Sequence, residues 1–212
     1  MRALLQALLT MAALLIGLAP AIAGAPVRIL ALGDSLTAGY MLPAGSGFAP
    51  VLEKALRARG LDVVVIDAGV SGDTSTGASE RLDWALGEGA DVAIVEIGAN
   101  DMLRGLDPRI TERALDAILT KLLEKNVKVL LAGMLATPSL GADYKAAFDR
   151  IYPTLAARHG VALYPFFLDG VAGDKDMLLA DGLHPSRAGV ERIVRGILPT
   201  LEKVLATVAP RD

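Results

Sequence analysis

A serine performs acyl transfer when a base stands ready to take its proton and a carboxylate holds that base in one tautomer. Ser35 is the first candidate nucleophile. It lies in Gly33-Asp34-Ser35-Leu36, directly after the apolar run Val27-Arg28-Ile29-Leu30-Ala31-Leu32. A serine leaving a buried strand on a tight turn is exposed, although Gly-Asp-Ser is also ordinary turn chemistry. The chain has two histidines. His159 stands beside Gly160 at an expected helix end, where interaction with the helix dipole is the simpler role. His184 lies three residues after Asp181 in Asp181-Gly182-Leu183-His184-Pro185. That is close enough for the carboxylate to fix the imidazole tautomer and stabilise its charged form. The same residues also fit a polar turn that caps the following helix, with Pro185 opening it. Asp174 and Asp176 are rival acids, but they fit a solvated loop and lack the three-residue relation to His184.

These groups can meet only if the elements between them bring them together. Val27–Leu32, Val63–Ile66, Val92–Ile97, Val127–Leu131 and Val161–Tyr164 are short, continuous apolar runs rich in β-branched residues, and they predict five buried strands. Helical patterns fall between and after them, at Phe48–Arg59, Gly77–Leu86, Pro108–Lys125, Tyr144–His159 and Arg187–Leu205. Asp107-Pro108 supplies an N-cap and a first-turn proline, while Arg59-Gly60 and His159-Gly160 fit glycine-closed helix ends. Strands alternating with helices predict an α/β fold: a three-layer α/β/α sandwich around a mostly parallel five-stranded sheet. In such sheets ligands bind beyond the carboxyl ends of the strands. Polar blocks follow the first three strands: Gly33-Asp34-Ser35, then Ser71-Gly72-Asp73-Thr74, then Gly98-Ala99-Asn100-Asp101.

Composition narrows the function. The 212 residues are 53% hydrophobic and 21% charged, with 22 glycines, which fits one globular domain over residues 24–212. The net charge of −3 comes without a basic patch, so nucleic acid is not expected as a partner. With no cysteine there is no disulfide, thiol nucleophile or thiolate metal site, and two histidines make a zinc hydrolase improbable. No metal or organic cofactor is expected. Residues 1–23 fit a signal for export: Arg2, a mostly apolar Leu4–Leu18, and Ala21-Ile22-Ala23 as a cleavage site. A membrane anchor is the competing reading of that stretch, interrupted by Gln6, Thr10, Gly17 and Pro20. The expected location is therefore the periplasm or the medium, with cleavage after Ala23 and no stable membrane anchor afterwards.

Together, Gly33-Asp34-Ser35-Leu36-Thr37-Ala38-Gly39-Tyr40, Ser71-Gly72-Asp73-Thr74, Gly98-Ala99-Asn100-Asp101 and Asp181-Gly182-Leu183-His184-Pro185 resemble the GDSL, or SGNH, hydrolase superfamily. Within it, Gly39-Tyr40, Ser71-Gly72-Asp73-Thr74 and Ile151-Tyr152-Pro153 look like the bacterial thioesterase-I, lysophospholipase and arylesterase branch. The resemblance implies a flavodoxin-like sheet and a serine esterase acting on small acyl esters, aryl esters, lysophospholipids and thioesters. It implies Ser35 as nucleophile, His184 as base and Asp181 as its orienting acid. The Ser35 N–H, a close-approaching Gly72 N–H and the Asn100 amide would form the oxyanion hole. Gly72 as a turn glycine and Asn100 as a loop cap are the plainer roles of such residues.

Asp34, Asp73 and Asp101 are expected to brace loops, and Glu96, near the end of a buried strand, to support the site from behind without doing chemistry. Met102, Leu103, Leu106, Met134, Leu135, Pro138 and Leu140 are candidates for an acyl groove, with core packing the plainer alternative. Relatives carry Asn-Tyr-Gly where this chain has Ser139-Leu140-Gly141, so no acyl-length preference is carried over. Two other functions remain open on similar sheets, a carbohydrate acetylesterase and a non-catalytic or nucleotide-binding α/β module. The second lacks its fingerprints: no Lys-Ser/Thr follows Gly33 to Gly39, and no Gly-x-Gly-x-x-Gly occurs. Neither the oligomeric state nor the physiological ester is legible in these residues.

Overall fold

Runs of branched apolar side chains pack as strands where both faces of a sheet are covered. In the computed structural model, which describes residues 25–87 and 89–209, five such runs form one sheet. They are β1 (Val27–Gly33), β2 (Val63–Gly69), β3 (Val92–Glu96), β4 (Lys128–Ala132) and β5 (Ala162–Tyr164). The expected export segment, residues 1–23, lies outside the described residues. The strand order is β2-β1-β3-β4-β5, and every pairing is parallel. Every residue of β3, the middle strand, is buried.

Nine helices are described: α1 (Ser35–Ala38), α2 (Phe48–Arg57), α3 (Ser75–Glu80), α4 (Leu82–Leu86), α5 (Ala99–Leu103), α6 (Pro108–Glu124), α7 (Ala142–Asp149), α8 (Ile151–His159) and α9 (Arg187–Leu205). Each long one is amphipathic. On α6 the buried residues Thr111, Leu115, Ile118, Leu119 and Leu122 fall on one helical face. α9 packs on α2, β4 and β5, whereas α6 packs on α3, α8 and β4, and these two groups make the layers on either side of the sheet.

Two expected helices are each two. The helix expected over Gly77–Leu86 begins earlier, at Ser75, where the Thr74 hydroxyl accepts from the Gly77 N–H, and it breaks at Arg81. The one expected over Tyr144–His159 breaks at Arg150. Pro153 accounts for that break: its ring lacks the N–H that would reach the Asp149 carbonyl and crowds that same group. Two short helices, α1 and α5, sit directly after β1 and β3, where only turns were expected.

The ends of the strands matter most for function. Gly33 is in register with both Gly69 and Glu96, Glu96 with Ala132, and Ala132 with Tyr164, so all five strands finish level. Chain order reverses at β1, which has β2 on one side and β3 on the other, so a crevice opens at the end of β1. The turn there is tight because Gly69 has no side chain. A Cβ on Gly69 would run into the backbone of Ala38 in α1.

Candidate active site

Ser35 is the first residue of α1, and Asp34 caps that helix by accepting from the Leu36 N–H at 2.9 Å. A four-residue helix has little stability of its own, so the turn is held from below. The Thr37 hydroxyl donates to Glu96 Oε2 at 2.7 Å, at the end of β3. This matches the supporting role expected of Glu96.

The structure brings His184 and Asp181 to Ser35. His184 Nε2 is 2.9 Å from Ser35 Oγ, and His184 Nδ1 is 2.6 Å from Asp181 Oδ2. Asp181 Oδ1 accepts from the backbone N–H groups of Leu183 and His184 at 2.9 and 3.0 Å. These bonds, led by the Leu183 N–H and followed by the imidazole, hold the Asp181 carboxyl down at about 2. The loop is pinned at its base: Leu179 N–H donates to His184 O and Ser186 N–H to Met177 O. Ser186 caps α9, its hydroxyl accepting from the Gly189 N–H, so the helix opens at Arg187 and not at Pro185. The Tyr40 ring lies against the imidazole with centroids 4.6 Å apart, a contact the sequence did not signal.

Gly72 and Asn100 follow the two strands that flank β1. Gly72 has φ of 82°, a conformation that favours glycine. Its carbonyl accepts from Arg104 Nη2 at 2.7 Å. The backbone N–H groups of Ser35 and Gly72 donate to no other described residue. Asn100 Nδ2 donates to Asp34 Oδ2 at 3.1 Å, which occupies one of its two amide hydrogens and leaves the other. The bracing expected of the three aspartates is present in each case. Asp34 holds Leu36 and Asn100, Asp73 pairs with Arg81, and Asp101 accepts from the N–H and hydroxyl of Ser75 and from Thr111.

The buried carboxyls behind the site are perturbed. Burial raises Glu96 well above its ordinary value, and the neighbouring Asp34 charge raises it further. Burial likewise raises Asp34, against the opposing bonds from Leu36 and Asn100.

The remaining candidates are elsewhere. His159, at the end of α8, is 2.7 Å from Asp116 of α6, in a cluster with Arg158 and Glu112. Asp174 accepts from the Asp176 N–H within their own turn. Of the groove candidates, Met102 and Met134 are buried core residues, while Leu103 and Leu135 are exposed. Met41, Val70 and Leu183 are exposed too, each a few residues from Ser35, Gly72 or His184. No sequence signal marks Arg81 or Arg104 as part of the site. Arg104 follows Asn100 by four residues, a spacing that points toward no particular carbonyl.

The arrangement can accept a proton from the serine hydroxyl, stabilise the resulting imidazolium, and offer N–H donors beside the nucleophile. Comparisons with known proteins place the chain among ester hydrolases. The GDSL-like Lipase/Acylhydrolase family model matches residues 31–192. Esterase TesA of Pseudomonas aeruginosa is 39% identical over 178 residues, 84% of this chain and 89% of that protein. The Escherichia coli K12 protein named thioesterase 1/protease 1/lysophospholipase L1 is 36% identical over 78% of each chain. The crystal structure of AlinE4, described as an SGNH-hydrolase family esterase, is 42% identical with a TM-score of 0.73, covering 88% of this chain and 99% of that one.

Proposed function

We propose that this chain, which belongs to the GDSL-like lipase/acylhydrolase family and is a carboxylic ester hydrolase, works through an acyl-enzyme on Ser35. The reading is carried by one observation: an unbroken line of contacts from Asp181 through His184 to Ser35 Oγ, at 2.6 and 2.9 Å.

In this mechanism the neutral imidazole keeps its Nδ1 proton toward Asp181, so Nε2 accepts the serine proton as Oγ attacks the carbonyl carbon. The imidazolium is stabilised by Asp181, which stays ionised. The tetrahedral oxygen takes hydrogen bonds from Ser35 N, Gly72 N and the second Asn100 Nδ2 hydrogen. Removing one such donor typically costs a rate factor of about 10²–10³. His184 then returns its proton to the departing alkoxide, phenolate or thiolate. Water, deprotonated by the same Nε2, releases the acid and restores Ser35.

The substrates of this reading are aryl and acyl esters, lysophospholipids and acyl thioesters. The exposed Met41, Leu103, Leu135 and Leu183 offer apolar contact to an acyl or aryl group. Export, with a leader over residues 1–23 and a single catalytic domain over 24–212, belongs to the same proposal.

A fluorophosphonate probe tests it, because the probe reacts only with an activated nucleophile. Peptide mapping should place the phosphonyl group on Ser35, and prior labelling should stop hydrolysis across an aryl ester, a lysophospholipid and an acyl thioester. A label on another residue, or hydrolysis that survives complete labelling of Ser35, would sink the mechanism.

A further inference from the structure

The three proposed oxyanion donors leave three different strands: Ser35 follows β1, Gly72 follows β2 and Asn100 follows β3. The ladder stops at Gly33, Gly69 and Glu96, so strand pairing does not set the spacing of what comes after. Polar side chains bridge each pair of loops. Asp34 to Asn100 ties the first to the third, and Arg104 to Gly72 O ties the third to the second.

Between the first and second loops the bridge is Arg81. Its Nη2 donates to Gly33 O at 3.0 Å, and its Nε donates to Asp73 Oδ2 at 2.7 Å. Gly33 stands two residues before Ser35, and Asp73 one residue after Gly72. The side chains of Arg81 and Asp73 are only 17% and 12% exposed, so water screens the pair little. Gly33 O also accepts from the Val70 N–H, which holds the near side of the second loop. Arg81 holds its far side, beyond Gly72.

We infer that Arg81 is a positioning residue of the oxyanion hole, its planar guanidinium setting the separation of the Ser35 and Gly72 N–H groups. The inference rests on the oxyanion-hole reading above. Arginine suits the task because two donors on one rigid plane reach a carbonyl and a carboxylate together, whereas an ammonium on a flexible stem does not reproduce that fork. Its third nitrogen, Nη1, is buried without a partner among the described residues. Arg81 also sits at the break between α3 and α4, outside the regular part of either helix.

The test compares Arg81→Lys, Arg81→Gln, Asp73→Asn and Asn100→Ala with the unaltered protein. The readouts are kcat and KM on an aryl ester per Ser35 titrated to end-point with fluorophosphonate, affinity for a trifluoromethyl ketone that binds as a tetrahedral adduct, and melting temperature. Arg81→Lys, which keeps a cation beside Asp73, should lose about 10- to 100-fold in kcat per titrated site, the scale of a misplaced oxyanion donor, with KM nearly unchanged. Ketone affinity should fall in step. Asp73→Asn frees one end of the bridge and should lose kcat in the same way, and it carries the test if Arg81→Gln does not fold. A purely structural brace would lower the melting temperature or the number of titratable sites while kcat per site stayed constant. That outcome, in folded Arg81→Lys and Asp73→Asn with Asn100→Ala slowed, overturns the role of Arg81 alone. An unchanged kcat in Asn100→Ala overturns the oxyanion-hole reading, and this inference with it.

Discussion

At the scale of single residues, the hydrogen bonds to Asp181 have the clearest consequence. Its carboxylate holds the imidazole Nδ1 and is fixed in turn by two backbone N–H groups. Asp181→Asn keeps the shape but can present an amide N–H toward Nδ1, which favours the tautomer that carries its proton on Nε2 and cannot accept from Ser35. The expected outcome is a fall in kcat on the order of 10³–10⁴ in the folded variant, read from steady-state kinetics on an aryl ester. A variant within tenfold of the unaltered protein would show that Asp181 does not set the tautomer. Because the folded Asp181 is held down at about 2, below its ordinary value, its contribution to stability is complete above about pH 4. That contribution is lost as pH falls toward 2. The residue pair Asp181 and His184 was legible in the sequence because both members lie in one short loop. Tyr40 against His184 and Arg81 between Gly33 and Asp73 were not, because each contact is made only when distant segments are folded together.

At the scale of elements, the site depends on how closely α1 approaches the end of β2. Gly69 permits that approach, since a Cβ there would strike the Ala38 backbone, which has no flexible end to move aside. Gly69→Ala should destabilise the protein by about 1–3 kcal/mol through overpacking, measured as a lower urea midpoint. It should also lower kcat, because α1 carries Ser35. An unchanged midpoint would mean that α1 has room to shift. The five strands were readable from their apolar runs, and the long helices α2, α6 and α9 from their periodicity. What was not readable is where helices break. Arg81 has no sequence signature of a break, and Pro153 produces one at Arg150, earlier than its own position. The short helices α1 and α5 carry too few residues for any period to register, and their place is decided by the loops they pack on.

At the scale of the whole molecule, a middle strand ending in a buried acid makes folding depend on pH. Glu96 and Asp34 are both raised in the folded protein, first by burial. The folded state therefore holds more protons than the unfolded chain from about pH 4 up to the raised values, and stability falls as pH rises through that window. Glu96→Gln keeps an acceptor for the Thr37 hydroxyl and removes the charge. Its melting temperature should decline less between pH 5 and pH 8 than that of the unaltered protein, and parallel declines would contradict the account. The parallel sheet was legible as a whole, which is why the four polar blocks could be expected to converge. The spacing between them was not, since it is set by Asp34, Arg81 and Arg104 acting across loops. The central claim, that this assembly exists to activate one hydroxyl, is tested most directly by Ser35→Ala assayed on a short aryl ester. The account predicts a variant with an unaltered melting transition and no hydrolysis above the uncatalysed rate, and a folded Ser35→Ala protein that still turns over the ester would contradict it.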